Sequence, residues 1–205
     1  MTARGVFVTS TGTDIGKTEV SCRLIRQLVE RGVDVRPSKP VVTGFAVEDP
    51  SAPWAWDGFE ASDSGRLLAA RGWSPDRLRD VTQRWFRAPL SPEAAARREG
   101  RSYGFADFMG GAELESDRFR VVEGVGGVMV PLGNGKTVLD AIVSLDLPVL
   151  LVTGTYLGTL SHTITAWRAL RAVFSGPAAV VISVSPESAL SPEETRSELE
   201  PFLGH

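Results

Sequence analysis

Residues 5–20 read GVFVTSTGTDIGKTEV, and few stretches of this length restrict a fold so strongly. GVFVT is apolar and β-branched, the composition of a buried strand. A loop carrying Gly12 and Gly16 follows. Val20, Leu24, Ile25, Leu28 and Val29 then recur at helical spacing until Gly32 stops the helix. Strand, glycine loop and helix in that order make an anion device. Backbone N–H groups at the helix N-terminus face a phosphate, a lysine spans the outer phosphates, and a hydroxyl reaches Mg²⁺. Gly16, Lys17 and Thr18 supply the second half of it. The usual G-x-x-x-x-G-K-[ST] spacing asks for glycine at position 11, where Thr11 stands instead, with the glycine at Gly12.

The remainder of the chain repeats the strand-then-helix rhythm. A second strand is expected over 34–37, strands again at FRVVEGVGG, PVLLVTG and AAVVISV, the last two as buried apolar runs, and loop over 46–60. Helices are expected from SDSGRLLAARG (Ser62 or Asp63 at the N-cap), in SPDRLRDVTQRW, and in SPEAAARREG with Ser91, Pro92 and Gly100 as cap, first residue and stop. Further helices are expected near 105–116, in TVLDAIVSLD, in LSHTITAWRALRAVF and in SPEETRSELEPFL. This alternation predicts an α/β fold, with a mostly parallel central sheet flanked by helices on both faces, in a single domain over 1–205.

Composition narrows the function. A net charge of −3 argues against a nucleic-acid partner held by bulk charge, and no apolar run reaches the ~20 residues of a membrane span. The N-terminus runs into a strand rather than a signal peptide, so the cytoplasm is the expected compartment. The lone Cys22 excludes an internal disulfide framework and a cysteine metal cluster. Only three of the 22 basic residues are lysines, Lys17, Lys39 and Lys136. Chance is the plainer reading of three lysines, but two of them fall in the segments that carry the best motifs, where a compact ammonium is expected to serve and a guanidinium fork could not imitate it.

Three more segments carry chemistry. In SKPVVTG (38–44), Lys39 precedes a proline and is held extended. Ligands of open α/β sheets bind beyond the carboxyl ends of the strands, so this lysine is expected beside the phosphate loop, where two ammonium groups suit phosphoryl transfer to an anionic acceptor. In VVEGVGG (121–127), Glu123 ends a strand on the same edge, a fit position for Mg²⁺, which prefers oxygen. Asp63 is a second carboxylate, with helix capping as its plainer role. In TYLGTLSHT (155–163), Gly158 permits a tight turn, and Ser161 is expected to cap a helix whose N-terminus suits a carboxylate. His162, in that first turn, reads as structural.

In this order, the T-x-T-x-x-GKT loop, KPVxTG, VEGxGG and LGTLxHT resemble the dethiobiotin synthetases of the biotin pathway, as does SPEAAARREG, over residues 5–175. The resemblance implies a P-loop NTPase fold and a homodimer. It implies conversion of 7,8-diaminononanoate, CO₂ and ATP, with Mg²⁺, into the cyclic urea of dethiobiotin. Lys17 would stabilise the transferring phosphoryl group and Lys39 the carbamate and phosphate. Thr13, Asp14, Ile15, Gly16, Lys17, Thr18, Glu123 and Ser183 would hold the nucleotide; Thr18, Asp63 and Glu123 the metal; Lys39, Thr43, Gly126 and Gly127 the diamine or carbamate. Leu157, Gly158 and Ser161 would receive the substrate carboxylate from the neighbouring subunit.

This chain departs from the family's pattern at Ser10, commonly glycine, at Ser161, commonly asparagine, and at Ser183, where some members read the base with asparagine. Relatives continue past FLGH into a strand and a loop that helps hold the base. Either base selectivity is weak and affinity rests on the triphosphate, or that wall comes from more chain or from a partner. Competing readings are a cobyrinate amide synthetase-type ligase domain, a partition-type switch ATPase, and a non-catalytic paralogue. The first is usually joined to a glutamine-hydrolysing domain. The second carries an early extra lysine that Ser10, Thr11 and Gly12 do not offer.

Overall fold

A computed structural model of the chain describes residues 4–46, 52–112, 117–185 and 188–204. In chain order its elements are β1 (Gly5–Ser10), α1 (Lys17–Glu30), β2 (Val35–Ser38), β3 (Val41–Thr43), α2 (Asp63–Arg71), a 3₁₀ turn (Pro75–Arg77), α3 (Leu78–Val81), β4 (Arg84–Phe86), α4 (Pro92–Arg98), α5 (Phe105–Ala112), β5 (Phe119–Glu123), β6 (Pro131–Gly133), β7 (Lys136–Thr137), α6 (Val138–Leu145), β8 (Val149–Thr153), α7 (Thr159–Val173), β9 (Ala178–Ile182) and α8 (Pro192–Leu203). Five strands form one parallel sheet in the order β2-β5-β1-β8-β9. Every strand of it therefore ends on the same edge, and the loops leaving β1, β2 and β5 are neighbours there.

Strand periodicity divides the interior in two. Side chains alternate across a strand, so Phe7, Val122 and Leu151 face one core, with Phe108 of α5, Ile142 of α6 and Leu170 of α7. Val6, Val8, Val121 and Val152 face the other, with Cys22 and Ile25 of α1 and Leu67 and Leu68 of α2. Helices thus cover both faces, as the alternation of elements predicts.

Local sequence sets the ends of the helices. Beyond α1, the Gly32 N–H donates to the Val29 carbonyl and the Val33 N–H to the Leu28 carbonyl, the paired bonds of a Schellman stop around a glycine at φ 76°. Thr137 and Asp140 close a capping box on α6, and Ser191 and Glu194 one on α8.

Three expectations change. β3 and β4 form a separate short parallel pair, so Arg84 and Trp85, expected to be helical, are strand and that helix ends at Val81, and β6 and β7 form an antiparallel pair. These runs of two or three residues are too short for a periodic signal. β9 is not a buried strand but the edge of the sheet, with its residues only partly covered. Gly158, at φ 94°, is the N-cap of α7, so Ser161 is the third helical residue and not the cap. Of the helix expected near 105–116, residues 105–112 are helical and 113–116 lie outside the described residues, as do 47–51 of the expected loop.

Candidate nucleotide and metal site

A cleft of about 600 Å³ opens at the carboxyl edge of the sheet. Residues 13–19 line its floor, Lys39, Val42 and Thr43 one side, Ser62, Asp63 and Arg66 of α2 another, and Val125 and Gly126 the loop after β5. Gly16 begins α1 at φ 96°, a conformation that disfavours any side chain, and a Cβ there would fall 2.5 Å from Ser183 Oγ. The loop is also seated from the other side. A Cβ on Gly127 would stand 3.2 Å from the Thr11 carbonyl oxygen and 3.3 Å from that of Ser10, so the two loops meet backbone to backbone.

Lys17 folds over this loop. Its Nζ donates to Ser10 Oγ at 3.1 Å and to the Gly12 carbonyl at 3.2 Å. Ser10 Oγ in turn donates to the Gly12 carbonyl at 2.5 Å, and lies 3.1 Å from that of Gly126. The serine that departs from the family's glycine is therefore a junction between phosphate loop, lysine and the loop after β5. Burial, then the neighbouring Lys39 charge, lowers the Lys17 pKa to about 8.

Lys39, 2% exposed, reaches the same place from the end of β2. Its ammonium lies 2.7 Å from Asp63 Oδ2, 2.7 Å from Glu123 Oε1 and 3.0 Å from the Gly124 carbonyl oxygen. Burial alone would lower its pKa, but the two carboxylates raise it well above the ordinary lysine value. Burial likewise resists ionisation of Asp63, and Lys39 outweighs it, taking that carboxyl down to about 2. Asp63 is free for this because Ser62 caps α2, accepting the Gly65 N–H at 3.1 Å.

The oxygens at this point outnumber the hydrogens offered to them. Thr18 Oγ1 lies 2.6 Å from Asp63 Oδ1 and 2.9 Å from Glu123 Oε1, yet carries one proton. Glu123 is wholly buried and its Oε2 has no partner. An orphaned buried carboxylate oxygen is costly, and a cation beside it removes the deficit. The donor set fits Mg²⁺, which is bound through one or two carboxylates plus substrate phosphates rather than in an all-protein cage. No group of three or more His, Cys, Asp or Glu among the described residues could hold a metal by itself.

Lys17, Thr18, Lys39, Asp63 and Glu123 thus converge, and Thr13, Asp14, Ile15, Gly16, Thr43 and Gly126 line the same cleft. Gly127 packs on the phosphate loop instead. Ser183 borders an adjoining groove, with Arg23, Leu24 and Gln27 of α1. Leu157, 88% exposed, immediately precedes Gly158, the N-cap of α7, with Ser161 in the first turn, and none of the three is among the residues lining the cleft of their own chain. His162 Nδ1 is 2.9 Å from the Tyr156 hydroxyl. Phe45 and Trp56, which also line the cleft, carry no motif that a sequence reader could have used.

A family model described as an AAA domain matches residues 4–204. The ATP-dependent dethiobiotin synthetase BioD of Caulobacter sp. (strain K31) is 47% identical over 202 residues, covering 97% of this chain and 83% of the relative. The protein of that name in Caulobacter vibrioides (strain NA1000 / CB15N) is 44% identical over 186 residues, covering 89% and 80%. The one in Methylobacterium nodulans (strain LMG 21967) is 42% identical over 200 residues, covering 94% and 86%. With a P-loop α/β fold and identity this high over this share of both chains, the protein belongs to the ATP-dependent dethiobiotin synthetase family.

Proposed function

We propose that this protein closes the ureido ring of dethiobiotin from 7,8-diaminononanoate, CO₂ and ATP. The observation that carries the reading is the meeting of two lysines, two carboxylates and a loop threonine in one cleft at the mouth of a phosphate loop. One substrate amine adds to CO₂ and loses a proton, giving a carbamate. A carbamate oxygen then attacks the γ-phosphorus and ADP departs, leaving a carbamic–phosphoric anhydride. The second amine attacks the carbonyl carbon and loses a proton, phosphate leaves, and the ring is closed.

Each residue has a part in that sequence. Lys17 and the loop residues Thr13, Asp14, Ile15 and Gly16 bind the triphosphate, and Lys17 offsets charge on the transferring phosphoryl group. Lys39 holds carbamate and phosphoryl oxygens together, and Thr43 and Gly126 bound the reacting end of the diamine. Thr18, Asp63 and Glu123 would hold Mg²⁺, which when bound neutralises phosphate charge. No protein nucleophile is needed. Cys22 is buried, and burial pushes its thiol up to about 11.

A homodimer completes the site in this reading, with Leu157, Gly158 and Ser161 of one subunit facing the substrate carboxylate bound in the other. Their exposure on a helix N-terminus outside their own cleft supports it. The closeness of Ser183 to Gly16 and its place in the α1–β9 groove support a role for it beside the base. Among the described residues no helix is long and apolar enough to cross a membrane.

The deciding experiment follows labelled bicarbonate into the urea product with saturating diaminononanoate, Mg²⁺ and several nucleoside triphosphates. Label is expected in dethiobiotin only when a triphosphate and Mg²⁺ are both present. Folded protein that incorporates none above background removes the enzymatic reading.

A further inference from the structure

The hydrogen count around Lys39 raises a difficulty for the role just given to it. An ammonium has three N–H donors. Asp63 Oδ2, Glu123 Oε1 and the Gly124 carbonyl oxygen take all three, at 2.7, 2.7 and 3.0 Å. Lys39 is otherwise enclosed, so no donor is left for a carbamate or phosphoryl oxygen in the cleft. The two carboxylates that claim it are the ones that fit a divalent ion. Ammonium and ion thus compete for one pair of anions in a buried setting where charge is weakly screened.

We propose that Lys39 is a stand-in cation, holding Asp63 and Glu123 together until a divalent ion takes them over and so frees its N–H groups for substrate oxygens. This rests on the metal reading above and adds an order to it: Lys39 becomes available for the anionic acceptor only after the ion is in place. Before that, the ammonium prevents two buried carboxylates from facing one another uncompensated, which would be strongly unfavourable. Glu123 Oε2 has no partner and Thr18 has one proton for two carboxylate oxygens, so the cluster is short of hydrogen-bond donors even with Lys39 present. An arriving ion therefore has somewhere to bind before Lys39 has moved.

The alternative is a passive clamp, with Lys39 merely aligning the carboxylates, and the two ideas predict opposite signs. Mn²⁺ binding to the nucleotide-free chain, read from the electron paramagnetic resonance of the free ion, separates them. If Lys39 competes, Lys39→Met binds Mn²⁺ about ten-fold more tightly than the unmodified chain, because a nearby positive charge has been removed. Unchanged or weaker binding in that variant overturns the proposal. Asp63→Asn is the control and should bind more weakly than either. If it binds like the unmodified chain, the metal site itself is misplaced and the proposal falls with it.

A second measurement needs no variant at Lys39. Only three lysines exist, so ¹⁵N-lysine labelling gives at most three side-chain ammonium signals, and Lys39 is the one most protected from solvent. Mg²⁺ with a non-hydrolysable ATP analogue should shift that signal and speed its exchange. A signal that stays put at saturation leaves Lys39 a clamp and rejects the exchange of cations.

Discussion

The two site lysines carry the same charge but occupy different surroundings, and their proposed roles separate on that basis. Lys17 is held by a hydroxyl and a carbonyl, both neutral, so burial and Lys39 depress its pKa to about 8. The ammonium is the form that attracts phosphate. Accordingly kcat/KM for ATP, which reports the free enzyme, should decline as pH rises through about 8. Bound phosphate favours the charged form, so kcat should hold to higher pH. A kcat/KM profile flat to about pH 10 would contradict this assignment. Lys39 sits between carboxylates and stays charged throughout. Lys39→Ala is expected to lower kcat by ~10²–10³ or more while leaving nucleotide affinity largely intact. Collapse of nucleotide binding in a calorimetric titration would show that the division of labour is wrong.

At the scale of elements, the site depends on how α2 starts. Asp63 is its first residue and is free only because Ser62 takes the cap. Ser62→Ala should cost about 1 kcal/mol in urea unfolding. It should also weaken divalent-ion binding, because Asp63 is the next side chain able to cap. Loss of stability with unchanged ion binding would mean that Asp63 is oriented by Lys39 and Thr18 alone. The start of α1 is constrained differently: Gly16 combines a positive φ with close contact to Ser183 Oγ. Gly16→Ala is expected to destabilise the fold by ~1–3 kcal/mol and to abolish nucleotide binding, checked by thermal unfolding with and without ATP.

For the whole molecule, the parallel sheet is the device that brings residues 17, 39 and 123 together, since the strands preceding the last two, and the one leading into the loop of the first, share an edge. The dimer in the proposed function has a test at this scale. Lys39→Ala impairs a subunit's own site and Leu157→Asp its partner's, so a mixture of the two variants should regain activity that neither has alone. No recovery after co-expression would make each subunit self-sufficient.

Much of this was readable from residue order. β-branched runs alternating with capped amphipathic segments determine an α/β fold, and GKT after a strand points to the proposed phosphate site, because both signals are local. Glu123 at a strand end and Lys39 before a proline were also visible one by one. Their pairing was not, because the salt bridges join residues 39, 63 and 123, which only the strand order β2-β5-β1 and the seating of α2 bring into contact. The same holds for the exposed edge at β9, whose apolar sequence reads like a buried strand. Burial depends on what lies beside a strand, and that is a property of the assembled sheet.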